Sequence, residues 1–131
     1  MIKLTGKYFP LHQWLHHEYF DALPEGNVNR SSPKNRYFDY YALFGDEFMK
    51  KVEKSNMFLV GAGALGCEFL KMFSLMGCSR SENSMVTCTD DDNIEISNLN
   101  RQFLFRKEHI GKNKSEVACS ICKKINPECN F

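Results

Sequence analysis

Met57-Phe58-Leu59-Val60-Gly61-Ala62-Gly63-Ala64-Leu65-Gly66 is the stretch on which the fold turns. A short apolar run that halts at glycine reads as a buried parallel strand. The residues after it fit G-x-G-x-x-G, placed between a predicted strand and a predicted helix, which is the context that motif requires. Glycines let the chain turn sharply and bring backbone N–H groups close to a phosphate, while the helix N-terminus adds positive potential. Gly61, Gly63 and Gly66 are therefore candidate nucleotide-binding positions; a glycine turn without a ligand is the plainer alternative.

Downstream, Leu65, Phe69, Met72, Phe73 and Met76 recur at intervals of three and four, so a helix runs from about Ala64 with these on its apolar face and ends at Gly77. Residues 78 to 84 read as a polar loop, and Met85-Val86-Thr87-Cys88-Thr89 has the β-branched content of a second strand, closed by Asp90-Asp91-Asp92. A last helix opens at Asn113, with Glu116 completing a capping-box-like pattern. Val117, Ala118, Ile121 and Ile125 form its buried stripe, and Asn126-Pro127 ends it. Upstream, Phe48, Met49 and Val52 predict a short amphipathic helix between Gly45 and Lys54. Strand, glycine loop, helix and strand in that order give an α/β, Rossmann-like fold. The sequence stops at Phe131, where a βαβ chain begins its next strand, so the expected sheet is mostly parallel and incomplete.

A chain of 131 residues has room for one domain and not two. Its 43% hydrophobic and 25% charged residues suit a packed core. A net charge of +1 gives no general attraction to nucleic acid or to an anionic membrane. No apolar run approaches the roughly 18 residues of a membrane span, and the start lacks a secretory h-region, so an intracellular location is expected. Six cysteines are accordingly read as reduced thiols, and Cys119 with Cys122 as part of a helix, lacking the second ligand pair of a zinc site. Residues 1–20 are rich in aromatics and 21–35 in turn formers, which sets a connecting segment at 1–35 and a domain at 36–131, with the boundary near Pro33. His12, His16 and His17 receive no role.

Asp90 lies at the carboxyl end of the second strand, where an acid accepts hydrogen bonds from ribose hydroxyls. Asp92, two residues on, points in a similar direction if the chain is extended and is a candidate neighbour of Mg²⁺. Counter-charge separates the two nucleotides such a fold binds: a triphosphate calls for Mg²⁺ and cationic side chains, whereas backbone groups alone hold a diphosphate bridge. Here Arg101 sits among amides and apolar anchors in Asn98-Leu99-Asn100-Arg101-Gln102-Phe103-Leu104-Phe105-Arg106 and is suited to bind phosphate oxygens with its fork. Lys114 falls in the first turn of its helix, where a cation opposes the macrodipole unless an anion lies opposite. A surface arginine whose neighbours pack into the core is the plainer alternative for Arg101, and a solvent-facing lysine reads equally well for Lys114 on position alone.

These stretches resemble a known family. Arg36-Tyr37 through Phe44-Gly45, then the run from Phe58 to Glu68, Thr89 to Glu95, Ser97 to Arg106, and Gly111-Lys112-Asn113-Lys114-Ser115 are similar to the active adenylation half of ubiquitin-activating enzyme. Ser97-Asn98-Leu99-Asn100-Arg101-Gln102-Phe103-Leu104-Phe105 is far more specific than the glycine motif. Thr5-Gly6-Lys7-Tyr8-Phe9-Pro10, Gln13-Trp14 and Phe20-Asp21-Ala22-Leu23-Pro24 resemble the segment preceding this half in the single-chain enzyme, which favours ubiquitin over other modifiers. The resemblance implies that Ala64 and the glycine loop border ATP, that Asp90 holds the ribose, and that Asn98, Arg101, Gln102 and Lys114 surround the phosphates. It further implies Mg²⁺, and attack of the C-terminal carboxylate of ubiquitin on the α-phosphate to give an acyl-adenylate, with Arg101 and Lys114 stabilising the developing charge. The accepting thiol belongs to a part of the family's enzyme that matches none of the six cysteines here. Ubiquitin-conjugating enzymes engage other parts of the same polypeptide, and a cytoplasmic and nuclear location is expected. Arg36 matches the start of the active half without a clear role at the nucleotide, and a fragment of this kind is expected to be inactive alone.

Two other classes compete. In an NAD-dependent oxidoreductase Asp90 would bind the adenosine ribose and the arginine stretch would serve packing. A non-catalytic interaction module would keep the fold and bind no nucleotide.

Overall fold

The computed structural model describes residues 35–131 and, ahead of them, the backbone of β1 (Ile2–Leu4) and β2 (Lys7–Phe9). These two short strands pair antiparallel, with Ile2 opposite Phe9. His12, His16, His17 and the turn-rich stretch through Pro33 lie outside the described residues.

The centre is a β-α-β unit: β3 (Met57–Val60), α2 (Ala64–Met76) and β4 (Val86–Thr89). β3 and β4 are parallel, in register from Met57 opposite Val86 to Val60 opposite Thr89. α3 (Lys114–Ile125) packs beside α2 and touches β4. The arrangement is the expected Rossmann-like α/β unit. Past α3 the chain comes back to the sheet, where the Val86 N–H donates to the Asn130 carbonyl at 2.9 Å.

Alternation along each strand sends Met57, Leu59, Val86 and Cys88 toward the helices. They meet Cys67 and Leu70 of α2, Ala118 and Cys122 of α3, and Ile94, Leu104 and Phe105 from the connection between β4 and α3. Phe58 and Val60, on the other face, are 70% and 74% exposed. The strand is thus half buried and not buried throughout, because among the described residues no helix covers that second face.

The expected apolar face of α2 also needs correction. Leu65 is 75% exposed, and Phe69 and Met72 are exposed as well, while Gly66, Cys67, Leu70 and Ser74 are the buried positions. α2 is apolar almost all the way round, so a periodicity search finds two plausible faces, and small residues are what let α3 approach closely. On α3 the central buried line is Lys114, Ala118 and Cys122, with Val117, Ile121 and Ile125 half buried beside it.

α1 (Phe38–Glu53) begins earlier than predicted and kinks at Gly45, where φ is +77°. Met49 is its buried residue, whereas Phe48 is exposed and lies against the ring of Phe44. Its ends are fixed by polar contacts at the C-terminal ends of α2 and α3. Buried Tyr37, just before the helix, receives a hydrogen bond from Asn126 Nδ2 at 2.6 Å and carries the Arg80 guanidinium over its ring at 3.7 Å. The Glu53 carbonyl accepts from Arg80 N, Ser81 N and Ser84 Oγ, and its carboxylate takes Arg80 Nη2 and the Tyr41 hydroxyl. The loop at 78–84 is therefore polar but partly buried, with Cys78, Ser79 and Ser84 inside. Among the described residues no helix is long and apolar enough to cross a membrane.

Candidate functional site

Everything the sequence marks for nucleotide chemistry, apart from Arg36, falls on elements that follow the carboxyl ends of β3 and β4. The glycine loop leaves β3 with Gly61 at φ +99°, a conformation L side chains rarely adopt. Its first anchor is a backbone bond, Gly61 N–H to the Thr89 carbonyl at 2.8 Å. Gly66 sits so close to the loop that a methyl group there would stand 2.1 Å from the Gly61 carbonyl oxygen. At Gly63 an added Cβ would meet nothing within 4 Å, so a ligand can reach the backbone there.

α2 starts directly at this opening. Gly63 is its N-cap and supplies no side-chain acceptor, and the first N–H with a backbone partner is that of Cys67, to the Gly63 carbonyl at 2.9 Å. The N–H groups of Ala64, Leu65 and Gly66 have no acceptor among the described residues, as is usual for the first turn of a helix without a side-chain cap. The residues present fit a phosphate group at this point.

Asp90 holds the loop in that shape. One carboxylate oxygen accepts the Ala62 N–H at 2.5 Å and the other the Asp92 N–H at 2.9 Å. Both oxygens keep a lone pair for a further donor, so this tethering is compatible with ribose contact. Asp90, Asp91 and Asp92 bring one carboxylate oxygen each to within 4.8 Å of one another. Such a cluster suits a hard divalent ion in kind, although two of its members are already engaged within the chain.

Asp92 is engaged by Lys114. Lys114 Nζ lies 2.6 Å from Asp92 Oδ2, and the Lys114 N–H donates to the Asp92 carbonyl at 3.0 Å. Here is the anion that the first-turn cation of α3 requires, and it comes from the chain itself. Asn113 closes the group: its Oδ1 accepts from Ser115 N and Glu116 N, and its Nδ2 donates to the Asp90 carbonyl at 2.9 Å. The expected return bond, donated by the Asn113 N–H to the Glu116 carboxylate, is absent among the described residues. Sequence reasoning found Asn113 as a cap but missed it as the tether of Asp90. An asparagine has a donor to spare once its oxygen caps a helix, and that was the available signal.

Asn98, Arg101 and Gln102 stand on the loop between β4 and α3, whose Leu104 and Phe105 are buried with Cys67 of α2. Asn98 is buried and its Oδ1 accepts the Glu95 N–H at 3.0 Å, which shapes the loop. Gln102 is buried too, with Oε1 lacking any partner among the described residues. Arg101 is exposed and turns back on its own loop, donating to the Ser97 carbonyl at 2.9 Å and to Asn100 Oδ1 at 3.3 Å. The structure thus joins the glycine loop, Asp90, Asp92 and Lys114 in one hydrogen-bonded group and leaves Arg101 outside it.

Arg36 lies elsewhere. Its guanidinium donates twice to the Ile125 carbonyl, at the far end of α3 from Lys114. Ile125 lies eleven steps along the helix from Lys114, about 16 Å at 1.5 Å per residue. All six cysteines are free thiols, as expected. Cys67 follows the glycine loop directly, but burial pushes its thiol up, which makes it a poor nucleophile.

Comparison with known proteins gives concordant findings. The family model described as ThiF family matches residues 36–131. Ubiquitin-activating enzyme E1 1 of Arabidopsis thaliana is 48% identical over 97% of this chain and 12% of its own length. Ubiquitin-like modifier-activating enzyme 1 of Mus musculus is 44% identical over 94% of this chain and 12% of its own length. This chain therefore spans about an eighth of the curated relatives it matches. Among solved structures, E. coli MccB with ATP superposes with a TM-score of 0.67 at 30% identity, covering 82% of this chain and 32% of that one. E. coli tRNA N6-threonylcarbamoyladenosine dehydratase TcdA with AMP gives 0.64 at 25% identity, covering 72% and 37%.

Proposed function

The chain belongs to the ThiF family, and from that premise we propose that it is the ATP-binding part of an enzyme that adenylates the C-terminal carboxylate of ubiquitin. The observation that carries this reading is the convergence of an open helix N-terminus, a loop-bound aspartate and a nearly buried lysine on one end of a parallel β-α-β unit. Phosphate oxygens take the free N–H groups of Ala64, Leu65 and Gly66, and Asp90 accepts from the ribose. Lys114 and Arg101 supply counter-charge, with Arg101 swinging off its loop to do so. Mg²⁺ bound with the triphosphate would be held at the Asp90–Asp92 carboxylates and would supply further neutralisation of charge on the phosphate oxygens.

In the reaction a carboxylate oxygen of ubiquitin attacks the α-phosphorus, the bond to the bridging oxygen of the β-phosphate breaks, and pyrophosphate leaves. What these residues contribute is position and electrostatic stabilisation at phosphorus, in a step that needs no proton transfer. Thioester formation follows on a cysteine outside this chain, and ubiquitin-conjugating enzymes are served by other parts of the polypeptide. By itself the 131-residue chain does not complete the reaction, and the full-length protein works in cytoplasm and nucleus. A dehydrogenase reading accounts for Asp90 but assigns no ligand to the nearly buried lysine held at Asp92.

The test is ubiquitin-dependent exchange of labelled pyrophosphate into ATP by the full-length protein. Arg101→Ala and Lys114→Ala each reduce exchange by about a hundredfold or more, as loss of one transition-state charge contact does. Unchanged exchange in both would remove the proposal.

A further inference from the structure

The contact between Asp92 and Lys114 has a feature that a passive surface ion pair lacks. The Lys114 side chain is 8% exposed while that of Asp92 is 66% exposed. An ammonium so far withdrawn from water is unfavourable unless a partner compensates it, and that partner here reaches in from the solvent side. The pair is also fixed at the backbone, because the Lys114 N–H donates to the Asp92 carbonyl. Asp92 in turn is tied by its own N–H to Asp90 Oδ1, and Asp90 Oδ2 holds the Ala62 N–H. Three bonds in series therefore run from the glycine loop to the amine of Lys114, and the backbone bond between Lys114 and Asp92 doubles the last link.

From this we infer that Asp92 is a positioning residue for Lys114: it holds the ammonium in the hydrogen-bonded chain that starts at the glycine loop before nucleotide arrives, and yields it to phosphate oxygens when nucleotide binds. The inference rests on the nucleotide-binding reading above and assigns Asp92 a role beyond that of a metal ligand. A flexible lysine left unpaired would reach solvent and lose side-chain freedom on binding; a lysine already anchored loses less, which is the advantage of preorganisation. The exchange is favourable because a phosphate offers more negative charge than the single, largely hydrated carboxylate it replaces.

Calorimetric titration of the full-length protein with ATP, once with Mg²⁺ and once with EDTA, tests this. Asp92→Asn weakens ATP binding by about tenfold or more under both conditions, and Asp92→Glu restores part of the loss. The double variant Asp92→Asn/Lys114→Ala binds no more weakly than Lys114→Ala alone, because a positioning residue has nothing left to position. A loss confined to the Mg²⁺ samples would overturn the inference by making Asp92 a metal ligand only, as would losses that simply add in the double variant. An unsubstituted protein that binds no ATP would overturn the nucleotide-binding reading and this inference together, an outcome plainly separate from the other two.

Discussion

At Gly66 the glycine motif stops being a pattern and becomes a steric requirement. The space a side chain would occupy is filled by the carbonyl of Gly61, at 2.1 Å from the position of an added Cβ. Backbone on both sides leaves no flexible group to move aside. Gly66→Ala is therefore expected to lower stability by about 1–3 kcal/mol, as overpacking does, and to open the loop that Asp90 holds. Urea denaturation of the variant, read by far-UV circular dichroism, checks the first part. The requirement was legible in the sequence because the motif fixes glycine spacing and the predicted strand and helix fix its context. Pairing between Asp92 and Lys114 was not, since 22 positions separate them and nothing local predicts which acid a first-turn lysine meets.

Among the elements, α3 shows how a helix start can serve two purposes. Asn113 caps the first turn with Oδ1 and holds the end of β4 with Nδ2. Asn113→Ala is thus expected to cost about 1–2 kcal/mol, the upper part of the range for a lost cap, because the Asp90 carbonyl loses its donor at the same time. Asn113→Asp, which keeps the acceptor and removes the donor, should cost less in thermal unfolding yet still disturb Asp90. α2 carries the opposite lesson. Its ends were legible from Gly63 and Gly77, whereas its buried face was not, because Leu65, Phe69 and Met72 make as good a stripe as Cys67, Leu70 and Ser74. The deciding factor was the close approach of α3, a long-range fact. Truncation separates the two faces: Leu70→Ala should cost about 2–5 kcal/mol, and Leu65→Ala in the 131-residue chain about 0.5 kcal/mol or less. Equal costs in denaturant titrations would contradict the packing described.

Across the whole molecule, polar work is divided between two ends. The carboxyl ends of β3 and β4 carry the open N–H groups, the aspartates and Lys114, while Tyr37, Arg80, Glu53 and Asn126 lock α1 against the opposite end. Between them lies a core unusually rich in thiols, and their protonation gives the molecule a definite response to alkali. Burial raises the Cys88 thiol from 9.0 to about 12, and those of Cys78 and Cys122 to about 11. Desolvation also raises Tyr37 above its usual value. Below pH 9 these thiols are protonated whether the chain is folded or not, so their contribution to stability is complete. Between pH 9 and about 12 the unfolded chain releases protons that the folded chain retains, so stability falls as pH rises through this window. Denaturation midpoints in urea at pH 7.5, 9 and 10.5 should be nearly level over the first interval and drop over the second. Replacing Cys88 and Cys122 by alanine removes two of the groups responsible, and the drop should become shallower even though the starting stability is lower. A midpoint that rose with pH, or a slope untouched by the double substitution, would show that these thiols are not buried in the core as described.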